Sequence, residues 1–124
     1  LILLALALVA ILGLPANAHP SAVHVFGANF ELNGKLFATG DLTCEEGETF
    51  ILRINIEQEG GYAIGRANGD CTGSPVSWKT GQIRIQHGTV ECGPAIARLQ
   101  AQTQPDKGRL SQSQEINVCR GEPS

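Results

Sequence analysis

The chain has 124 residues, with 9 basic and 12 acidic side chains, a formal net charge of −3 at pH 7, one Trp and one Tyr. With no basic run along it, nucleic acid and anionic membrane surfaces are not expected partners. The length accommodates one domain and is too short for two.

Residues 1–18, LILLALALVAILGLPANA, carry no charge and end in Ala16-Asn17-Ala18 after Pro15. Small residues at those two positions are what a signal peptidase inspects, so the segment reads as a signal peptide, incomplete at its N-terminal side and cut after Ala18. Residues 19–124 then form a single secreted domain with no membrane segment after cleavage.

From Ala22 onward the pattern has period two and no stretch sustains a helical period. Strands are predicted at about 22–32, 35–43, 50–57, 61–67, 76–86, 95–103 and 110–118. The clearest runs from Phe50 to Glu57, with Phe50, Leu52, Ile54 and Ile56 on one face and Arg53, Asn55 and Glu57 on the other. From Ala95 to Thr103, Ala95, Ala97, Leu99 and Ala101 alternate with Ile96, Arg98, Gln100 and Gln102. Asn33-Gly34 predicts a two-residue hairpin turn, Gly60-Gly61 supplies positive φ, and Pro105-Asp106-Lys107-Gly108 marks a loop. At Gly81 the alternation changes phase, which predicts a bulge. About seven short strands in one small domain predict an all-β, immunoglobulin-like antiparallel sandwich, with a small Greek-key barrel as the competing architecture.

Cys44 and Cys71 are 27 positions apart, and so are Cys92 and Cys119. Four cysteines allow three pairings, and composition does not choose among them. If consecutive strands alternate direction, Cys44 and Cys71 meet at one pole and Cys92 and Cys119 at the other. A nine-residue strand spans roughly 30 Å, whereas bridged Cα atoms lie about 4.4–6.8 Å apart, so cross-pole pairs are excluded. Without a Cys-x-x-Cys pair, zinc through four thiolates has little support.

The run Gly40-Asp41-Leu42-Thr43-Cys44, Gln58 closing an alternating strand, Gly65, Cys71-Thr72-Gly73, Trp78 and the opening Gly93-Pro94-Ala95 resembles small secreted actinobacterial proteins with an immunoglobulin-like sandwich, a group of domains of unknown function. The likeness spans nearly all of residues 19–124. Its most specific elements are the Cys44 to Cys71 spacing and Trp78 after Cys71-Thr72-Gly73. It departs at Leu42, where the group implies an aromatic residue, and at Cys92 and Cys119, an added bridge. The resemblance implies fold and location and no activity.

Catalytic groups are sparse. None of His19, His24 and His87 lies near a nucleophile-elbow serine, and no Gly-x-Ser-x-Gly occurs, so no enzymatic activity is expected. His24 alternates with Val23 and Val25 and is expected in solvent. The candidate binding loops gather at the Cys44–Cys71 pole: Glu45, Glu46 and Glu48, then Asn68 and Asp70, then Asp106. Solubility alone explains an acidic tip. Its carboxylates otherwise suit a basic partner or, more weakly, a calcium ion, which takes six to eight oxygen ligands; no other cofactor is implied. Arg98, Gln100, Gln102, Ser111, Ser113 and Glu115 form a polar sheet face broken only by Ile96. Sugar binding there lacks aromatic rings, because Trp78 belongs to the core beside Ile83 and Ile85.

The expected function is therefore that of a secreted, monomeric, disulfide-stabilised binding or interaction module for a protein or cell-envelope partner. The alternative is a secreted inhibitor or effector that presents the loop from Thr72 to Val76 to a target enzyme. Whether that loop protrudes in an extended form or folds back separates the two.

Overall fold

The structure, a computed structural model, describes residues 20–105 and 107–119; the leader and His19 lie outside them. Eight strands occur in chain order: β1 (Ala22–Phe30), β2 (Leu36–Thr43), β3 (Thr49–Gln58), β4 (Gly61–Asp70), β5 (Val76–Lys79), β6 (Arg84–Gly88), β7 (Gly93–Gln104) and β8 (Arg109–Val118). They form one mixed sheet in the order β5-β2-β1-β8-β7-β3-β4-β6. All neighbours are antiparallel except β1 and β8, which run parallel and share the register pair Ala28↔Val118.

The sheet curls because β5 and β6, at its two edges, are consecutive in the chain. The phase change at Gly81 is more than a bulge: it splits the strand expected over residues 76–86. Before Gly81 the segment pairs with β2, and after it with β4. The junction is stitched to both edges, since Thr80 donates its N–H to the Ala38 carbonyl (3.0 Å), Gly81 to Arg66 (3.0 Å) and Ile83 to Leu36 (2.8 Å). Hence eight strands replace the expected seven, all of them hydrogen-bonded into one curled mixed sheet.

Inside the curl the alternation does what it predicts. Phe50, Leu52, Ile54 and Ile56 are buried, and β7 places Ala101, Leu99 and Ala97 beside the last three. Each large aliphatic side chain removed from water contributes about 1.5–3 kcal/mol; the small alanines leave room for the facing half. Trp78 is 4 % exposed and its indole N–H donates to the Asp41 carbonyl (2.9 Å). The ring lies against Gly40, where any Cβ would collide with it and with the His24 carbonyl oxygen. That collision explains the glycine of Gly40-Asp41-Leu42-Thr43-Cys44. Ile83 is buried as expected, but Ile85, beyond the switch, is 45 % exposed on edge strand β6.

Two turns differ from the sequence reading. Between β1 and β2, Glu31 and Lys35 close a three-residue loop in which Gly34, at φ +82°, donates to the Glu31 carbonyl and Asn33 Oδ1 accepts the Lys35 N–H. Gly34 thus takes the left-handed position of a type I turn with a bulge, instead of the centre of a two-residue turn. Between β3 and β4, Gln58 pairs with Gly61, and neither Gly60 nor Gly61 adopts positive φ. Gly61 is needed for close approach, because a Cβ there would strike the His87 and Thr89 backbone.

Both disulfides form as the strand order requires. Cys44–Cys71 has a Cα–Cα distance of 5.2 Å and Cys92–Cys119 one of 4.9 Å. The first sits at the end where Thr49 meets Asp70 and Gln104, the second where Gly93 meets Val118, so the staples occupy opposite poles. Near the parallel seam, side chains replace the ladder. Gln114 accepts the Val25 N–H (3.1 Å) and donates to the Val25 carbonyl (2.7 Å), and Gln112 donates to the Val23 carbonyl (2.9 Å).

Candidate functional site

The acidic pole assembles only in part. Glu45 and Glu46 are exposed and line a shallow depression of about 750 Å³ together with Ser21, Thr43 and Gly73. Glu48 is not part of the tip: with Gly47 at φ +95° the turn carries it inward to 8 % exposure. There its N–H donates to the Glu45 carbonyl and its own carbonyl accepts from Cys71. Asn68 and Asp70 are not in a loop either, because β4 continues to Asp70 and pairs with β3 throughout. Asp106 lies outside the described residues. Among the described residues no group of three His, Cys, Asp or Glu side chains comes together as a metal site, so the calcium expectation finds no ligand set there.

The loop after Cys71 folds back. Gly73, at φ +88°, donates its N–H to the Cys44 carbonyl (2.9 Å), and Thr72 Oγ1 both accepts from the Ser74 N–H and donates to the Ser74 carbonyl. This is a bent, locally closed segment, unlike the extended strand an inhibitory loop presents.

His24 points to solvent as expected, and its Nδ1 lies 3.0 Å from Asp41 Oδ1. Ser77 is also in register with Asp41, but on the far side of the carboxylate from the imidazole. The row His24-Asp41-Ser77 therefore lacks the serine-to-imidazole contact a nucleophilic triad needs. His87 instead stacks on Tyr62, with ring centroids 6.2 Å apart.

The strongest chemical feature extends the polar face of Arg98, Gln100, Gln102, Ser111 and Ser113 read from the sequence; its continuation across β3, β4 and β6 is what reading along the chain missed. On the outer face of β8-β7-β3-β4-β6, register defines successive rows across the strands. One row holds Arg109, Gln102, Ile51 and Asn68; the next Ser111, Gln100, Arg53 and Arg66; the third Ser113, Arg98, Asn55, Ile64 and Arg84. Five of the six arginines of the chain thus share three rows, and those rows contain no carboxylate. Acidic residues flank them: Asp70 lies one row beyond Ile51, and Glu57 and Glu115 lie one row beyond Asn55. Adjacent strands are about 4.8 Å apart and alternate residues about 6.7 Å, so the patch measures roughly 19 by 13 Å between Cα positions.

Its electrostatics are unbalanced. Arg98 donates through Nε to Glu57 (2.9 Å). Among the described residues Arg53, Arg66, Arg84 and Arg109 form no ion pair. Arg53 and Arg66 stand directly opposite one another, an arrangement that is destabilising on a sheet surface. Three recesses adjoin at Arg53: about 360 Å³ toward Arg66 and Arg109, about 210 Å³ toward Asn55 and Arg98, and about 380 Å³ toward Arg84 and Gln86. In the middle one Asn55 Oδ1 is buried and accepts no hydrogen bond among the described residues. A guanidinium offers five N–H donors in a planar fork that fits carboxylates, sulfates and phosphates. The face therefore presents guanidinium donors whose rows hold no carboxylate.

The rest leaves a fainter trace in the sequence. Arg53 and Arg98 occupy outward positions of the two best-defined strands, and a hairpin at residues 58–61 aligns Arg66 with Arg53. Gln58, noted for its place at a strand end, acts as a clamp: its amide accepts from the Glu91 N–H (2.8 Å) and donates to the Glu91 carbonyl (2.8 Å). That fixes the segment leading to Cys92. No protein-family model, curated protein or solved structure matches the chain.

Proposed function

We propose that the protein is a secreted, disulfide-stapled binding module with no catalytic step, and that it holds an anionic ligand on the outer face of β8-β7-β3-β4-β6. The observation that carries this reading is the set of five arginines in three rows free of carboxylates, with Arg53 opposite Arg66. A repulsive cross-strand pair costs folding about 0.2–1 kcal/mol, and an anion bound between the two guanidiniums reverses its sign. The platform is stiff, since β7, β3 and β4 are each paired on both sides. Preorganised donors lose little on binding.

Secretion is supported by two disulfides, which persist in oxidising compartments, and by the apolar leader ending in Ala16-Asn17-Ala18. An immunoglobulin-like sandwich remains the finer reading of the fold. It is supported by β1, which runs antiparallel to β2 and parallel to β8 and so divides the sheet into a three-stranded and a five-stranded half. Kinship with small secreted actinobacterial domains belongs to the same proposal and rests on the Cys44 to Cys71 spacing and on Trp78. The inhibitor alternative is disfavoured by the closed turn at Thr72-Gly73-Ser74.

The test is titration of the protein with polyglutamate, polyphosphate and polygalacturonate at low and at raised salt. Binding to at least one of them is expected, weakening about tenfold or more as salt screens the face. The double variant Arg53→Gln with Arg66→Gln should lose it without any fall in melting temperature. Absence of binding to all three polymers contradicts the reading.

A further inference from the structure

We infer that the ligand is an acidic polysaccharide, read through the recess around Asn55 by the carboxylate and a hydroxyl of one sugar-acid unit. This rests on the reading of the arginine face as the binding surface and narrows what that surface accepts.

The recess of about 210 Å³ is lined by Arg53, Asn55, Arg98 and Gln100. It is smaller than the roughly 300–1,000 Å³ of pockets that swallow a whole small ligand. Two of its four side chains are guanidiniums, which only donate. Against them stands Asn55 Oδ1, a buried acceptor with no donor among the described residues. Buried acceptors are nearly always satisfied in folded proteins, so this one calls for a hydroxyl or N–H that reaches it as the long Arg53, Arg98 or Gln100 side chains lining the recess shift. The complementary group therefore combines an anion for the guanidiniums with a donor for the amide oxygen, a few ångströms apart. A uronate has both, on one ring. Polyphosphate and sulfate offer charge without a donor.

The surroundings point the same way. The recesses on either side, about 360 and 380 Å³, continue the track from Arg109 to Gln86 and add Gln102, Ser111 and Gln82. Amides and hydroxyls interleaved with arginines match a polymer that alternates hydroxyls with carboxylates. A peptide fits less well, because the central strands have both backbone edges consumed by their neighbours and offer no place to add a strand. Ile51 and Ile64 are the apolar side chains in the three rows, which hold no aromatic anchor of the kind protein interfaces use. Stacking surfaces for nucleic-acid bases are missing from those rows for the same reason. Neutral sugars that bind by ring stacking are equally unsuited to those rows, since Trp78 is buried and the exposed Tyr62, one row beyond Asn55, stacks on His87.

The experiment compares the protein's affinity for polygalacturonate, for its fully methyl-esterified form, and for polyglutamate and polyphosphate of matched charge. Polygalacturonate should bind at least about tenfold more tightly than each of the others. Asn55→Ala should bring polygalacturonate down to the polyglutamate level and leave polyglutamate binding unchanged; Gln100→Ala serves as a second, independent variant of the recess. Equal binding of all three polyanions overturns the sugar-acid assignment and leaves the anion-binding face standing. Equal binding of the esterified polymer overturns the role of the carboxylate. Binding to none of the polymers overturns both this inference and the reading beneath it.

Discussion

The two outer faces of the curled sheet handle charge in opposite ways. On the β5-β2-β1 half polar side chains find partners: the His24 imidazole lies against Asp41, and Lys79 reaches Glu31 at 3.0 Å while lying 4.7 Å above the Phe37 ring. On the β8-β7-β3-β4-β6 half, four of five arginines have no ion pair among the described residues, and two of them face each other. One half has settled its electrostatics within the fold; the other has left them open. The net charge of −3 conceals this contrast, because the carboxylates of the described residues sit on the paired half, at the poles and in the rows that bracket the arginines.

The comparison presumes that the halves form one cooperative body, and the largest stability effect tests that join. Gln114 bonds to both backbone groups of Val25 across the seam. Gln114→Leu strips two partners from a half-exposed seam and should cost about 1–3 kcal/mol. A single, lower melting transition is expected; two resolved transitions would mean that the halves unfold separately.

The next effect is smaller and opposite in sign. Arg66→Thr removes the repulsion with Arg53 and places a good strand former on β4. Stability should rise by about 0.2–1 kcal/mol while anion binding falls. The smallest belongs to the paired face, where Lys79→Ala loses an exposed ion pair and ring contact worth about 0.5 kcal/mol and should leave binding unchanged. If Arg66→Thr lowers stability as Lys79→Ala does, the two faces do not differ in the way described. Chemical denaturation of both variants beside the parent decides it.

Much of the fold was legible in particular residues. Phe50 to Glu57 declared both faces of β3, and the turn near residue 106 brought Cys92 opposite Cys119. Gly81 announced a change of phase. What it could not announce was a change of partner, because whether a strand continues beside β2 or crosses to β4 depends on where distant edges lie. The same limit hid how far the polar face of β7 and β8 extends and that it gathers arginines. Arg53, Arg66, Arg84, Arg98 and Arg109 are spread over more than fifty positions, and only the non-local pairing of β3 with β7 and of β4 with β6 collects them. The acidic pole erred the other way. Glu45, Glu46 and Glu48 are neighbours in sequence, yet the turn at Gly47 buries the last.

Amide chemical shifts followed during titration with polygalacturonate test the central claim most directly. The account predicts shifts concentrated at residues 51–55, 64–68 and 98–102 and at Arg84 and Arg109, with Glu45, Glu46 and Gly73 undisturbed. Shifts centred on the Cys44–Cys71 pole, or on the face of His24 and Lys79, would contradict it.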